Sequence, residues 1–390
     1  MINNFKKIKK MQKVLLIGIL CIFVFVGCGK KNTNDDNVII NNSSHNNNSI
    51  EAWDLDGSNA NRSLYTIFDY KDEITYVIGH KNPDTDTVTS AIAMANLLNE
   101  LGIDAKPVVA GKINNETKFV LDSVGMESPE ILDNADSKQL YLVDHSDYIQ
   151  SVANAKNARI VGVIDHHGIG NVANSEVINV ISAPASSTTT LIYREYLRCN
   201  VNISKSMAQL MLSGLLSDKG IISDKDSKID QLAYKDLLRL SGIKNIEEYY
   251  LQMKNALTSY EGFTDKEILY CDYKDYEEGE IRFGIGTVDV KSINDIEPMV
   301  SRLKELSNDP DFSIENDMTI FMVQDFKYNK QCIGCVKPTT KAIEILHKAL
   351  EGYDNVEFKG DYAYCSPTLS RKKEVVPSMK KAIRELENKK

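Results

Sequence analysis

The chain has 390 residues, 42% of them hydrophobic and 26% charged, the composition of a globular protein long enough for two domains. A net charge of −9 excludes a general nucleic-acid binder, which would carry a basic field, so no nucleic-acid polymer is expected as a partner. An anionic ligand would need cations supplied locally, by metal ions or by clustered Arg and Lys.

Residues 1–28 read as a targeting segment. Lys6, Lys7, Lys9, Lys10 and Lys13 precede an apolar run over 14–26, too short to span a bilayer, for which about 20 residues are needed. The run ends Phe25-Val26-Gly27-Cys28 and resembles a bacterial lipoprotein signal, in which the cysteine is lipidated and becomes the first residue. Phe25 stands where Leu is usual, and an ordinary signal anchor with an incidental cysteine is the bland alternative. The stretch 29–70 is rich in Asn, Asp and Ser as far as residue 61; that composition cannot bury a core and reads as a flexible tether. The expectation is a protein held by its N-terminus on the extracytoplasmic face of the cell membrane. Of seven cysteines, Cys21 falls in the leader and Cys28 is the lipid site, which leaves an odd number and no disulfide framework. Cys332-Ile333-Gly334-Cys335 lacks a second ligand pair for zinc and reads as an incidental pair in a strand.

From residue 71 the pattern is α/β. The apolar run 74–78 reads as a buried parallel strand that stops in a polar loop holding His80, Asp84 and Asp86. A helix over 88–101 follows, with Ala91, Met94, Ala95, Leu98 and Leu101 on one face. Further strands read at 105–110, 139–143 and 159–164, with a helix through 118–124. The strand at 139–143 ends in Asp144-His145-Ser146-Asp147, and the one at 159–164 in Asp165-His166-His167-Gly168. Three strands thus carry Asp and His at their carboxyl ends, and one sheet would bring them to a single edge. Nitrogen with carboxylate oxygen suits a divalent metal of intermediate hardness such as Mn²⁺. The competing reading of the first loop is a helix start with Asp86 or Thr87 as N-cap. Four of the six histidines lie in these loops, and only His45 and His347 lie elsewhere, which favours a metal site.

Ser186-Ser187-Thr188-Thr189-Thr190 opens a helix over 191–197, where hydroxyls and free N–H groups could face an anion, although plain N-capping is the commoner role. A helix over 206–216 ends Ser217-Asp218; a carboxylate there opposes the macrodipole and calls for a cation. A first domain over 71–257 gives way to a second over 264–390, with strands at 281–290 and 318–323 and a helix at 340–350. Arg371-Lys372-Lys373 is by itself either a solvated basic turn or an anion site.

The stretches Gly79-His80-Lys81-Asn82-Pro83-Asp84-Thr85-Asp86, Val143-Asp144-His145, Asp165-His166-His167 and Ser217-Asp218 resemble the DHH phosphoesterase superfamily. Together with Ser370-Arg371-Lys372-Lys373-Glu374-Val375-Val376-Pro377 they are similar to its manganese-dependent (family II) inorganic pyrophosphatases, over about residues 74–380. The resemblance implies an N-terminal DHH domain with a mainly parallel sheet flanked by helices, a smaller C-terminal α/β domain, and an active site in the cleft between them. It implies His80, Asp84, Asp86, Asp144, His166 and Asp218 as metal ligands, with Asp144 bridging two ions. His167, Lys274, Arg371 and Lys372 would contact pyrophosphate, and His145 and Asp165 would orient neighbouring ligands. Two Mn²⁺ or Co²⁺ per chain, with Mg²⁺ accompanying the substrate, are the implied cofactors.

Charge counting supports that centre independently. Asp84, Asp86, Asp144 and Asp218 would repel one another unless protonated or metal-bound, and two divalent cations would neutralise them. The expected chemistry is hydrolysis of pyrophosphate to two phosphates by a water whose pKa two metals lower, with no phosphoenzyme. Three features depart from the family: the export signal, Lys219-Gly220-Ile221-Ile222-Ser223-Asp224 in place of an apolar segment and a Lys-Ser-Pro turn, and Asp147 where Glu is frequent. They keep two rivals in view, a related exopolyphosphatase or small-nucleotide phosphodiesterase, and a surface lipoprotein that binds metal or phosphate without turnover. The sequence leaves the oligomeric state open between monomer and homodimer.

Overall fold

Two six-stranded sheets organise the chain. The computed structural model describes residues 62, 64–66, 68–172, 176, 178–310, 312 and 316–387; the signal segment, Cys28 and the tether as far as residue 61 lie outside the described residues. In the first sheet, β1 (Thr75–Ile78), β2 (Ala105–Val109), β3 (Glu130–Ile131), β4 (Gln139–Val143), β5 (Arg159–Asp165) and β6 (Asn179–Ser182) lie in the order β3-β2-β1-β4-β5-β6. Every neighbouring pair is parallel. All of β4 is buried, as a parallel strand covered on both faces requires.

The connections leave β1 and β4 in opposite directions along this sheet. Right-handed crossovers therefore place them on opposite faces. On one face pack α1 (Thr85–Glu100) and α2 (Asn115–Val124), joined by α3 (Thr188–Arg198), α4 (Lys205–Lys219), α5 (Lys228–Ser241) and α6 (Ile246–Leu257). The other face is covered by connecting segments through Ala135, Val152 and Ala155 instead of by long helices.

The second sheet runs β11-β12-β10-β9-β8-β7, from β7 (Tyr273–Glu278), β8 (Ile281–Val290), β9 (Met318–Asp325), β10 (Gln331–Cys335), β11 (Val356–Lys359) and β12 (Tyr362–Cys365). Only β8 and β9 pair in parallel. One face carries α9 (Thr340–Leu350) and α10 (Val376–Glu387), the other α7 (Asp265–Tyr270) and α8 (Ile296–Glu305). Cys332 and Cys335, three apart on β10, point to opposite faces and join different cores, both as free buried thiols.

The tether ends sooner than expected. Tyr65 is 1% exposed in the first core and donates its hydroxyl to Glu195 Oε2 at 3.0 Å. Arg62 Nη1 donates to the Cys199 carbonyl at 3.0 Å. Residues 62–70 therefore include a segment docked on the body. One buried aromatic with a hydroxyl partner outweighs the polar composition around it. Among the described residues no helix is long and apolar enough to cross a membrane.

Candidate metal centre

The chain direction switches between β1 and β4, and a crevice opens at their carboxyl ends, where open α/β sheets place ligands. The β1–α1 loop brings His80 and Asp84 there, the first turn of α1 brings Asp86, the residues just after β4 and β5 bring Asp144, His166 and His167, and the last turn of α4 brings Asp218. His80 Nε2 lies 3.1 Å from Asp84 Oδ2 and 3.4 Å from Asp144 Oδ2. His166 Nε2 lies 3.4 Å from both Asp144 Oδ1 and Asp218 Oδ2. Two donor triads, His80–Asp84–Asp144 and Asp86–His166–Asp218, each keep their ligand atoms within 4.8 Å of one another. A third, Asp144–His166–His167, links them through Asp144 and His166.

Local backbone fixes this arrangement. Asp84 is both ligand candidate and N-cap: its Oδ1 accepts the Thr87 N–H at 2.9 Å while Oδ2 faces His80, so α1 starts at Thr85, a turn earlier than expected. Asp84, and not Asp86 or Thr87, is the cap. Asp144 has φ +59°, a left-handed conformation that Asp tolerates better than most residues. A Cβ on Gly79 would meet Thr87 Cγ2 at 2.2 Å, and one on Gly214 of α4 would come within 2.8 Å of Asp86 Oδ1. Both glycines let these carboxylate-bearing segments pack closely.

The N-terminus of α3 does face anions, but they are the protein's own carboxylates. Thr188 N and Thr189 N donate to Asp86 at 2.7 and 3.1 Å, and Thr188 Oγ1 donates to Asp144 Oδ1 at 2.9 Å. Thr87 Oγ1 donates to Asp144 Oδ2 at 2.7 Å. Residue order offers Thr87 as a cap and the 186–190 run as a cap or an anion site; the carboxylates they serve, Asp86 and Asp144, are set by the fold.

Electrostatics splits the four carboxylates. Burial, then the neighbouring carboxylates, push Asp86 and Asp218 well above the usual range. Burial works the same way on Asp84 and Asp144, but the histidines outweigh it and hold both below that range. Burial would lower His80, yet Asp84 and Asp144 raise it to about 9. Without a cation the four cannot all ionise. His166 gives the sharper test. Its Nδ1 lies 3.1 Å from the Ala185 carbonyl, which only accepts, so Nδ1 carries the proton. The Nε2 lone pair is buried without a hydrogen-bond partner, aimed between Asp144 and Asp218. An orphaned imidazole nitrogen among carboxylates fits a divalent metal.

His167 is turned differently. Its Nδ1 and its backbone N–H both lie 2.9 Å from Asp165 Oδ1, so Asp165 orients it and leaves Nε2 facing outward. His145 does not orient a ligand: its ring nitrogens bond the Val143 carbonyl and Ser151 Oγ, each at 2.9 Å, and brace the loop after β4.

The second domain closes over this edge. Lys274 on β7 places Nζ 3.4 Å from His167 Nε2, and Asp84 and Asp144 raise its pKa against the effect of burial. Arg371 begins a π-helical turn, Arg371–Val375, and its guanidinium is held by the Asp272 carbonyl and Asp272 Oδ1, both at 2.6 Å. Lys372 is exposed and, after burial, is the largest influence lowering the His166 pKa. Lys81 pairs with Asp275 at 2.6 Å and Asn82 Nδ2 donates to the Tyr273 carbonyl at 2.7 Å, so the first metal loop itself grips β7.

Fold and donor set together define a DHH protein. Residues 74–215 match the DHH family, N-terminal domain, and residues 251–382 match the DHHA2 domain. Over 311 residues the chain is 34% identical to a manganese-dependent inorganic pyrophosphatase of Methanothrix thermoacetophila, covering 79% of this chain and 98% of that protein. The Bacillus subtilis enzyme of the same name is 32% identical over 312 residues, with 79% and 98% covered. A Methanococcus jannaschii structure, solved as that of a candidate family II inorganic pyrophosphatase, superposes with a TM-score of 0.67 at 30% identity, over 80% of this chain and 99% of that one. The chain belongs to the family of manganese-dependent inorganic pyrophosphatases.

Proposed function

We propose that the protein hydrolyses inorganic pyrophosphate to two phosphates, with two Mn²⁺ or Co²⁺ ions at the centre and Mg²⁺ accompanying the substrate. The observation that carries this reading is the meeting of two opposite charge sets. A carboxylate and imidazole cluster on one domain faces Lys274, Arg371 and Lys372 on the other, with Lys274 3.4 Å from His167. His80, Asp84, Asp86, Asp144, His166 and Asp218 would hold the metals, which when bound lower the pKa of water and offset the phosphate charge. Lys274 Nζ and His167 Nε2 face the same space, so a phosphate seated there would meet the ammonium of one domain and, when the imidazole is protonated, a second donor from the other. Arg371, held by Asp272, and the exposed Lys372 would add positive charge that offsets the departing phosphate. Water adds to one phosphorus, the P–O bond to the bridging oxygen breaks, and no side chain is phosphorylated. Phosphate release with Mn²⁺ across pyrophosphate, polyphosphate and dinucleotides tests this; kcat/KM should be highest for pyrophosphate. A higher value for either other substrate would replace this reading with the exopolyphosphatase or phosphodiesterase one.

The same proposal places the reaction outside the cytoplasm, on a chain anchored through a lipid on Cys28. Its support is the lysine-rich start, the short apolar run and the Gly27-Cys28 ending. Cys28→Ala should shift the protein from the membrane fraction to the medium or leave a full-length precursor. Native protein found in the cytosol with residues 1–27 intact would sink the placement.

A further inference from the structure

On the first domain, behind the metal loops, lies an ion pair that the reaction does not use. Glu116, in the first turn of α2, and Lys254, in the last turn of α6, are 1% and 3% exposed. Lys254 Nζ lies 3.1 Å from Glu116 Oε1. A buried pair of this kind is a weak source of stability, because desolvation cancels much of the attraction. Its remaining contacts point elsewhere. Glu116 Oε2 accepts from Thr85 Oγ1 at 2.8 Å and also from Ser217 Oγ. Thr85 lies between Asp84 and Asp86 in the chain, and Ser217 immediately precedes Asp218. One carboxylate oxygen therefore ties the start of α1 to the end of α4.

Lys254 completes the tie by donating to the Ser217 carbonyl at 3.3 Å. That carbonyl belongs to the negative end of the α4 dipole, where the Asp218 carboxylate is unfavourable. The ammonium offsets both charges at the point where Asp218 has to be held. Asp86, His166 and Asp218 form one of the donor triads, and two of its three members are chain neighbours of residues that Glu116 grips.

We propose that Glu116 and Lys254 are positioning residues for the divalent cation held by Asp86, His166 and Asp218, keeping Ser217-Asp218 in register with Thr85-Asp86. This rests on the reading of that triad as a metal site. A glutamine at 116 would turn its amide N–H toward the Lys254 ammonium or give up a hydroxyl, and a methionine at 254 would leave the Ser217 carbonyl and Glu116 unpaired.

The test is calorimetric titration of Mn²⁺ into full-length protein, stripped of metal and held in detergent. The wild type is compared with Glu116→Gln, Lys254→Met and the double variant, alongside the thermal midpoint of each metal-free protein. Each single change should weaken one Mn²⁺ site by about 10- to 100-fold and leave the other unmoved. The double variant removes both charges of the pair, while Asp289, which Lys254 also faces, keeps its bond from Gln324. Its metal-free midpoint should therefore recover most of the way to that of the wild type while the weakened site stays weak. Should a single variant fail to fold, the double variant alone decides. Recovery of Mn²⁺ affinity together with stability in the double variant would reduce the pair to a structural one and overturn the proposal. So would unchanged affinity in folded single variants. A wild type that binds no Mn²⁺ would overturn the metal-site reading itself, and the proposal with it.

Discussion

Asp144→Asn should lose tightly bound metal and reduce kcat/KM for pyrophosphate by more than about a thousandfold, roughly 4 kcal/mol of transition-state stabilisation. Asp144 is the one carboxylate shared by both halves of the cluster, 3.4 Å from His80 Nε2 through one oxygen and 3.4 Å from His166 Nε2 through the other. Asparagine is the informative replacement because it keeps the shape and tolerates the φ of +59° that alanine would find strained. Its amide oxygen can still accept from Thr87 or Thr188. Against the effect of burial, the histidines hold Asp144 ionised, and Thr87 and Thr188 both donate to it. The metal-free variant should therefore melt somewhat lower than the wild type, and metal content is compared where both proteins are folded. Elemental analysis after gel filtration, activity and thermal melting together check this. Metal content equal to wild type with full activity would remove Asp144 from the centre.

Lys274→Met should leave metal content unchanged and lower kcat/KM by about 10²- to 10³-fold, roughly 2.7–4 kcal/mol. The lysine sits on β7, an edge strand of the second sheet, yet its ammonium lies 3.4 Å from His167 on the first domain. It contributes charge where phosphate would develop it, and it is not a donor in any of the metal triads. Methionine keeps the unbranched stem and much of its volume, so the grip of Lys81 and Asn82 on β7 should survive. Both KM and kcat should worsen, because the cation meets the phosphate in the ground state and in the transition state. Loss of bound Mn²⁺ in this variant would mean that Lys274 supports the metal centre instead of the substrate, and the division of labour between the domains would fall.

Elements of both domains can be read directly from residue order. The strands at 139–143 and 281–290 and the helix at 340–350 have the expected boundaries, because apolar runs or helical periodicity end there in polar or turn residues. The short strands β3, β6, β11 and β12 were not read, since two to four residues with little alternation carry no periodic signal. Helices α5 to α8 carry a weak signal too, because each buries only a narrow stripe. Thr85, Asp86 and Thr87 have the composition of a loop, yet in the fold all three are buried helical residues under Asp84 as cap.

Residue order alone carries the candidate donors: His and Asp at the carboxyl ends of three apolar runs, where any parallel arrangement would converge them, and a Ser-Asp pair at the end of a fourth segment. It also determined the sign of the partner, since crowded carboxylates and imidazoles in an acidic chain require a cation. Which atoms those side chains offer depends on packing. The Ala185 carbonyl frees His166 Nε2, Asp165 turns His167 outward, and Val143 and Ser151 remove His145 from the centre. Packing also decides that the threonines of α3 serve the protein's own carboxylates, and that Glu116 and Lys254, ordinary helix residues to any local reading, meet behind Asp218. A chain pattern records which groups exist and how far apart they lie along the backbone. The bond that selects the His166 tautomer spans 19 positions and those that hold Asp86 span 102 and 103, and a range of about 3 Å is satisfied only once the sheet order and helix packing are in place.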